Sequence, residues 1–202
     1  MQILLDNGHG NNTPGHCSPV WADGSQLQEW CWTREMAQRI EVALLAHHVQ
    51  VRRIVPEAHD VPLWERCRRV NQIARAHTPA NTILLSLHVN GSANGKGQGW
   101  EVHTSKGRTV SDLYATLIWK EAQKQLKGQF RMRADHSDGD PDWENNFAIL
   151  ANTLCPAILT ENLFMDNEEE CRFLLSEEGK RCIAQLHVNA LCTIIALRRY
   201  YT

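Results

Sequence analysis

His9, His88 and Glu161 each follow a short apolar run: Ile3-Leu4-Leu5, Ile83-Leu84-Leu85-Ser86-Leu87, and the segment Ala157 to Thr160. Two imidazoles and one carboxylate form a standard ligand set for catalytic zinc, with a fourth position left for water. Zinc lowers the pKa of its water to about 7 and polarises a carbonyl, which is the chemistry of amide hydrolysis. Such a reaction also needs a carboxylate off the metal, to take the water's proton and pass it to a leaving nitrogen. Glu29, at the start of a helical segment behind the loop 11–27, is the natural partner of Glu161 in that division of labour. Spacing leaves open which of the two does which. Taken singly, each group also has a plainer reading: a capping histidine in Gly8-His9-Gly10, a core histidine in Ser86-Leu87-His88-Val89-Asn90, an ordinary strand-end acid at Glu161. Their coincidence at strand ends is what points to a site.

Open α/β sheets form their sites beyond the carboxyl ends of strands, so the positioning elements should be strands alternating with helices. Ile3 to Leu5 reads as a buried strand ending at the Asn7-Gly8-His9-Gly10 breaker. Met36, Ile40, Ala43 and Leu44 recur at helical spacing between Gln28 and His47. His48 to Val55 alternates as a second strand. Asp60 resembles an N-cap, ahead of a helix marked by Leu63, Cys67, Val70, Ile73 and Ala74. Ile83 to Leu87 is apolar on both faces and therefore central. The glycine-rich loop Gly91 to Gly99 leads to a strand at Trp100 to His103. Val110, Leu113, Leu117 and Ile118 fit a helix, and residues 128–146 are polar and turn-rich. Phe147 to Leu150 and Ala157 to Thr160 give two short strands, or one strand plus a turn. Helices close the chain at Glu168 to Leu175 and from Glu177 to about Arg199. This order predicts a single α/β domain over residues 1–202, with a mostly parallel twisted sheet of about six strands and helices on both faces.

Composition agrees with a globular chain. Of 202 residues, 43% are hydrophobic and 22% charged, and the formal net charge is −2. That excludes a disordered or fibrous class and offers no basic field for nucleic acid. The longest apolar stretch, Ala190 to Leu197, is far below the roughly 18 residues of a membrane helix, so no integral membrane association is expected. Seven cysteines with no C-x-x-C pair argue against a zinc ribbon or thioredoxin-like site, and predict mostly reduced core thiols. The N-terminus has no basic n-region and an early Asp6, so a signal peptide is not expected. Synthesis in the cytoplasm is the expectation that follows.

Six ordered blocks carry a family resemblance: Asp6-Asn7-Gly8-His9-Gly10; Glu29; Leu63-x-x-Arg66-x-x-x-x-Asn71; Ser86-Leu87-His88-Val89-Asn90; Gly99-Trp100-Glu101; and Ile158 through Asn167. Together they resemble the zinc-dependent N-acetylmuramoyl-L-alanine amidases of the Amidase_3 type, over essentially the whole chain. The resemblance implies a six-stranded α/β fold and one Zn2+ per chain. It implies metal ligation by His9, Glu29 and His88 and the acid/base role for Glu161. The substrate it implies is peptidoglycan, cut between the lactyl group of muramic acid and the stem-peptide L-alanine, with cell-wall access by phage-type release or an unseen leader. The oligomeric state is left open, a monomer being expected. A related zinc peptidase or amidase, or a silent wall-binding module, are the alternatives, and the presence of Glu161 speaks against the last. Where the family commonly has proline, valine and glycine-phenylalanine, this chain has Asn7, Thr160 and Asn162-Leu163-Phe164. A family arginine corresponds to Arg131 or Arg133.

Other residues receive plainer readings. His16 lies in the loop between two of the implied ligands and can reach the same metal. His187 is read as exposed or capping on the last helix. Arg66 is expected to pair with an acid near the site, and Asn71 to anchor its helix to a loop. Trp21, Trp30 and Trp32 flank Glu29 and are read chiefly as core-edge aromatics. Asp135, Asp138, Asp140 and Asp142 lack the frame of a calcium loop and are expected in a solvated loop.

Overall fold

Strands that are apolar on both faces end up in the middle of the sheet. In the computed structural model, which describes residues 1–126 and 128–201, every residue of β1 (Gln2–Asn7) is buried, and β3 (Thr82–Asn90) is buried through Leu87. These two pair in parallel. The six-stranded order is β2-β1-β3-β6-β4-β5, with β2 at Gln50–Arg53, β4 at Glu101–Thr104, β5 at Trp143–Glu144 and β6 at Ala157–Phe164. All pairings are parallel except β4 against β6.

The period-2 alternation of β1 and β3 divides the core into two layers. Ile3, Leu5, Ile83 and Leu85 face α1 (Glu29–Ala46), α3 (Val110–Leu126) and α6 (Glu177–Tyr201), where Met36, Ile40, Ile118 and Leu191 close the layer. Leu4 and Leu84 face the other way, against Val70 and Ala74 of α2 (Leu63–His77) and Ile149 and Leu150 of α4 (Ala148–Ala151). α5 (Glu168–Leu175) packs on α6. Helices therefore cover both faces of a mostly parallel sheet, as the pattern predicts. Among the described residues no helix is long and apolar enough to cross a membrane.

Four local expectations change. The strand reading of Phe147 to Leu150 gives way to the single helical turn of α4, the strand-plus-turn alternative holding instead. An apolar run of four fits either state, and here Ile149 and Leu150 are both drawn onto α2. The turn-rich segment 128–146 contains β5, two residues that exist as a strand only because β4 lies beside them. α2 begins at Leu63 after Pro62, and Asp60 serves as an ion-pair partner of Arg66 rather than a cap. Asp142 is buried, with Thr104 Oγ1–H donating to its Oδ2, so that part of the acidic segment is not solvated. Burial and the neighbouring Asp140 push its carboxyl up to about 8. Asn71 anchors α2 as expected: its amide donates to Asn152 O at 2.9 Å and its Oδ1 accepts from Leu154 N–H at 2.7 Å. All seven cysteines are free thiols, Cys67, Cys155 and Cys171 buried and Cys31 exposed.

Candidate metal centre

The carboxyl ends of β1, β3 and β6 meet the N-terminus of α1 at one pocket of about 440 Å³, lined by His9, His16, Glu29, His88 and Glu161 among others. The turn after β1 is shaped for close approach. A Cβ on Gly8 would sit 2.4 Å from His88 Cε1, so only glycine lets the ring of His88 lie against the chain there. His9 itself has φ of 61°, a left-handed conformation rare for a side chain of its size. Its carbonyl is held by two guanidinium groups, Arg34 Nη2 at 2.9 Å and Arg66 Nη2 at 3.2 Å. Thr33 Oγ1–H, on the first turns of α1, donates to Gly8 O at 3.1 Å. The bend that aims His9 is thus clamped from α1 and α2 together.

Glu29 is the centre of the arrangement. It is 1% exposed, and three imidazoles converge on it: His88 Nδ1 at 3.1 Å from Oε1, His16 Nδ1 at 3.2 Å and His9 Nε2 at 3.4 Å from Oε2. Val89 N–H donates to Oε1 at 3.0 Å. Among the described residues no lysine or arginine pairs with this carboxylate. Burial pushes its carboxyl up, but the imidazoles of His16, His88 and His9 hold it well below the usual carboxylate range. Burial works to lower His88, yet Glu29 draws it up to about 9. Glu161 differs from Glu29 in every respect. Its Oε2 is buried without a hydrogen-bond partner. Burial raises its carboxyl to about 8, with His88 opposing and the charges of Glu29 and Glu101 adding to the rise. Two carboxylates in one pocket, one whose carboxyl its imidazole neighbours lower and one whose carboxyl burial raises, have different chemical capacities.

The donor set fits a divalent ion. Imidazole nitrogens and a carboxylate suit zinc among the common metals, and among the described residues no lysine or arginine stands beside the buried Glu29 carboxylate. His9, His16 and Glu29 offer ligand atoms that all lie within 4.8 Å of one another. His88, one of the three ligands the resemblance implies, falls outside that group and meets Glu29 on the other oxygen, Oε1, at 3.1 Å.

Around the pocket a polar scaffold fixes the strands. Glu101 is the cross-strand partner of Glu161; it accepts from Asn90 Nδ2–H at 2.6 Å and pairs with Arg133 Nε. Of Arg131 and Arg133, it is therefore Arg133 whose side chain reaches a neighbour of Glu161. The β3–β6 register slips at the site: two steps along β3, from His88 to Asn90, stand opposite three steps along β6, from Glu161 to Phe164. Leu163 takes up the extra residue with φ of 67°, a conformation that glycine adopts freely, and its buried side chain anchors the bulge in the core. Asn162 fills the gap, its amide donating to His88 O at 3.0 Å while its Oδ1 accepts from Trp100 Nε1–H at 2.9 Å. Nothing in the order of residues 161–164 announces this role; the signal is a polar side chain inside an otherwise buried strand.

His187 proves buried, not exposed. Its Nδ1–H donates to Ile183 O at 2.7 Å, leaving Nε2 to accept from Thr160 Oγ1–H at 3.1 Å. The hydroxyl at position 160 thus has a dedicated partner on α6. Burial lowers the His187 imidazole to about 4. The folded chain refuses a proton that the unfolded chain accepts below about pH 6.5, so stability falls as pH drops from 6.5 toward 4. Between pH 7 and pH 5 this group alone is expected to remove about 2 kcal/mol. Urea unfolding of wild type and His187→Met over that range should show the component in the first and not in the second; equal slopes would refute it.

Trp21 lies at the edge of the core, its Nε1–H directed at Cys171 Sγ at 3.2 Å, and does not line the pocket.

Comparison with known proteins agrees with this picture. The family model described as N-acetylmuramoyl-L-alanine amidase matches residues 3–193. The N-acetylmuramoyl-L-alanine amidase CwlM of Bacillus licheniformis is 28% identical over 202 residues, covering 98% of this chain and 70% of that protein. The endolysin of Bacillus phage SPP1 is 26% identical over 205 residues, covering 98% and 67%. In fold, the crystal structure of an N-acetylmuramoyl-L-alanine amidase from Clostridium difficile 630 superposes with a TM-score of 0.81, at 22% identity and 96% of each chain.

Proposed function

The chain belongs to the N-acetylmuramoyl-L-alanine amidase family, and we propose that it is a zinc enzyme in which His9, Glu29 and His88 hold the ion and Glu161 moves the proton. The bond cut is the amide between the lactyl group of N-acetylmuramic acid and L-alanine of the stem peptide. One observation carries this reading: two glutamates share a pocket, Glu29 surrounded by imidazoles and Glu161 with a buried oxygen that nothing satisfies. A zinc ion bound there supplies polarisation of the amide carbonyl and a water acidified to a pKa of about 7. Glu161 takes the proton of the attacking water on the carboxylate and returns it to the departing L-alanine nitrogen, which leaves as an amine. Asn162 and the Glu101–Arg133 pair keep β6 in the register that faces Glu161 into the pocket.

Digestion of purified peptidoglycan, followed by mass spectrometry, tests the reaction. Free stem peptides beginning with L-alanine, released from uncut glycan, are expected. Cleavage inside the peptide would make the chain a peptidase, and no release would make it a binder. Chelation should abolish release and added zinc should restore it. His9→Ala should hold zinc more weakly than wild type in competition with a chelator; a variant that binds zinc as tightly as wild type would overturn the ligand assignment.

A further inference from the structure

The loop between β1 and α1 brings a third imidazole to Glu29, and the sheet does not require it there. Glu29 Oε1 is already engaged by His88 Nδ1 and by Val89 N–H. On Oε2, however, two ring nitrogens converge, His9 Nε2 at 3.4 Å and His16 Nδ1 at 3.2 Å. The two rings stack, with centroids 3.5 Å apart and planes 23° from parallel. One hydrogen bond suffices to orient a carboxylate oxygen. Two stacked imidazoles presenting nitrogens to the same point is the arrangement of donors around a cation.

The backbone holds His16 in this position. Glu29 N–H donates to His16 O at 3.1 Å, Cys17 forms an antiparallel bridge with Gln28, and Ser18 N–H donates to Leu27 O at 2.9 Å. The loop therefore returns along the segment leading into α1 as a short ribbon, and His16 and Glu29 are fixed to each other before any metal arrives. The ligand atoms of His9, His16 and Glu29 lie within 4.8 Å of one another, close enough for one ion to touch all three.

We propose that His16 is a fourth protein ligand of the metal, closing the site in the resting chain. The inference rests on the reading that His9, Glu29 and His88 hold zinc. Four protein donors leave a tetrahedral zinc without an open position, the pattern of closed sites. His16 is also the donor best able to leave: its side chain is 39% exposed, against 20% for His9, 17% for His88 and 1% for Glu29. Substrate must then displace His16, and its loop becomes the element that sets access to the ion.

X-ray absorption at the zinc edge, on the zinc-loaded full chain, counts imidazoles directly. Three are expected in wild type and two in His16→Ala, whose circular dichroism should match wild type. Competition with a chromophoric chelator should show zinc held about tenfold more weakly by His16→Ala, an effect of the size that supporting groups at metal sites commonly have. Two imidazoles in wild type would overturn the proposal and leave His16 as an orienter of Glu29. Three in both proteins would overturn it as well. Neither result touches the underlying metal reading, which fails only if His9→Ala and His88→Ala still bind zinc as wild type does.

Discussion

Glu161→Gln is expected to bind zinc as wild type does, to lower kcat about 10²–10⁴-fold on peptidoglycan, and to make the metal-free chain more stable. The first two effects follow from the proposed role: amide and carboxylate have the same shape, but the amide can neither take the proton of water nor return it to the leaving nitrogen. The third follows from electrostatics. Burial raises the Glu161 carboxyl to about 8 in the metal-free chain, whereas the unfolded chain ionises near 4.5. A carboxyl whose folded pKa is raised contributes fully below pH 4.5 and loses that contribution as pH climbs toward 8. At pH 7 the penalty is about 3 kcal/mol at most, and a neutral glutamine is free of it. Denaturation of the two metal-free proteins at pH 5 and pH 7 should therefore show a gap that widens with pH. Gain of stability with loss of turnover is the mark of a group kept for chemistry at the cost of the fold. Wild-type turnover in Glu161→Gln would remove it from the mechanism, and equal stability at both pH values would remove the buried charge.

What the sequence made visible and what it hid divide along physical lines. β1 and β3 were legible because strands buried on both faces need continuous apolar runs, and Ile3-Leu4-Leu5 and Ile83 to Leu87 admit few other uses. The convergence of His9, His88 and Glu161 on one pocket followed from the same fact, since each stands where a strand of one parallel sheet ends. The antiparallel direction of β4 was not legible: Trp100 to His103 reads the same in either sense, and only pairing with β6 decides it. Burial of Asp142 depends on Thr104, 38 residues earlier in the chain, and no local pattern encodes such a partner. His187 was legible and misread. It lies four residues after Ile183 and three before Ala190, on the stripe that faces the core, but its type suggested the surface. His16 needed the loop's return against Gln28, a contact that a run of Asn, Gly, Pro and Ser does not specify.

Arg66→Met should unfold more readily than wild type by about 3–5 kcal/mol, because the change leaves a charge stranded in the core. Asp6 is 1% exposed and has two partners, Arg66 Nη1 at 2.7 Å and Ser86 Oγ–H at 2.7 Å. Arg66 does more than neutralise it. Its Nε donates to Val61 O at 2.7 Å, Nη1 to Asn7 O at 2.8 Å, and Nη2 to Asp60 at 2.7 Å and His9 O at 3.2 Å. One guanidinium thereby ties the end of β1, the segment before α2 and the turn that aims His9. Methionine keeps an unbranched apolar stem but is shorter and supplies none of these donors. Most of the loss should come from the uncompensated Asp6, so Asp6→Asn added to Arg66→Met should recover part of it, a non-additivity expected of residues in contact. Zinc affinity should fall in both, since the His9 carbonyl keeps Arg34 alone to hold its left-handed turn. Urea midpoints for the four proteins of the cycle, with zinc titrations alongside, separate the two effects. A single variant within 1 kcal/mol of wild type would mean that the ion pair adds little beyond packing. Unchanged zinc affinity would mean that Arg34 alone positions His9.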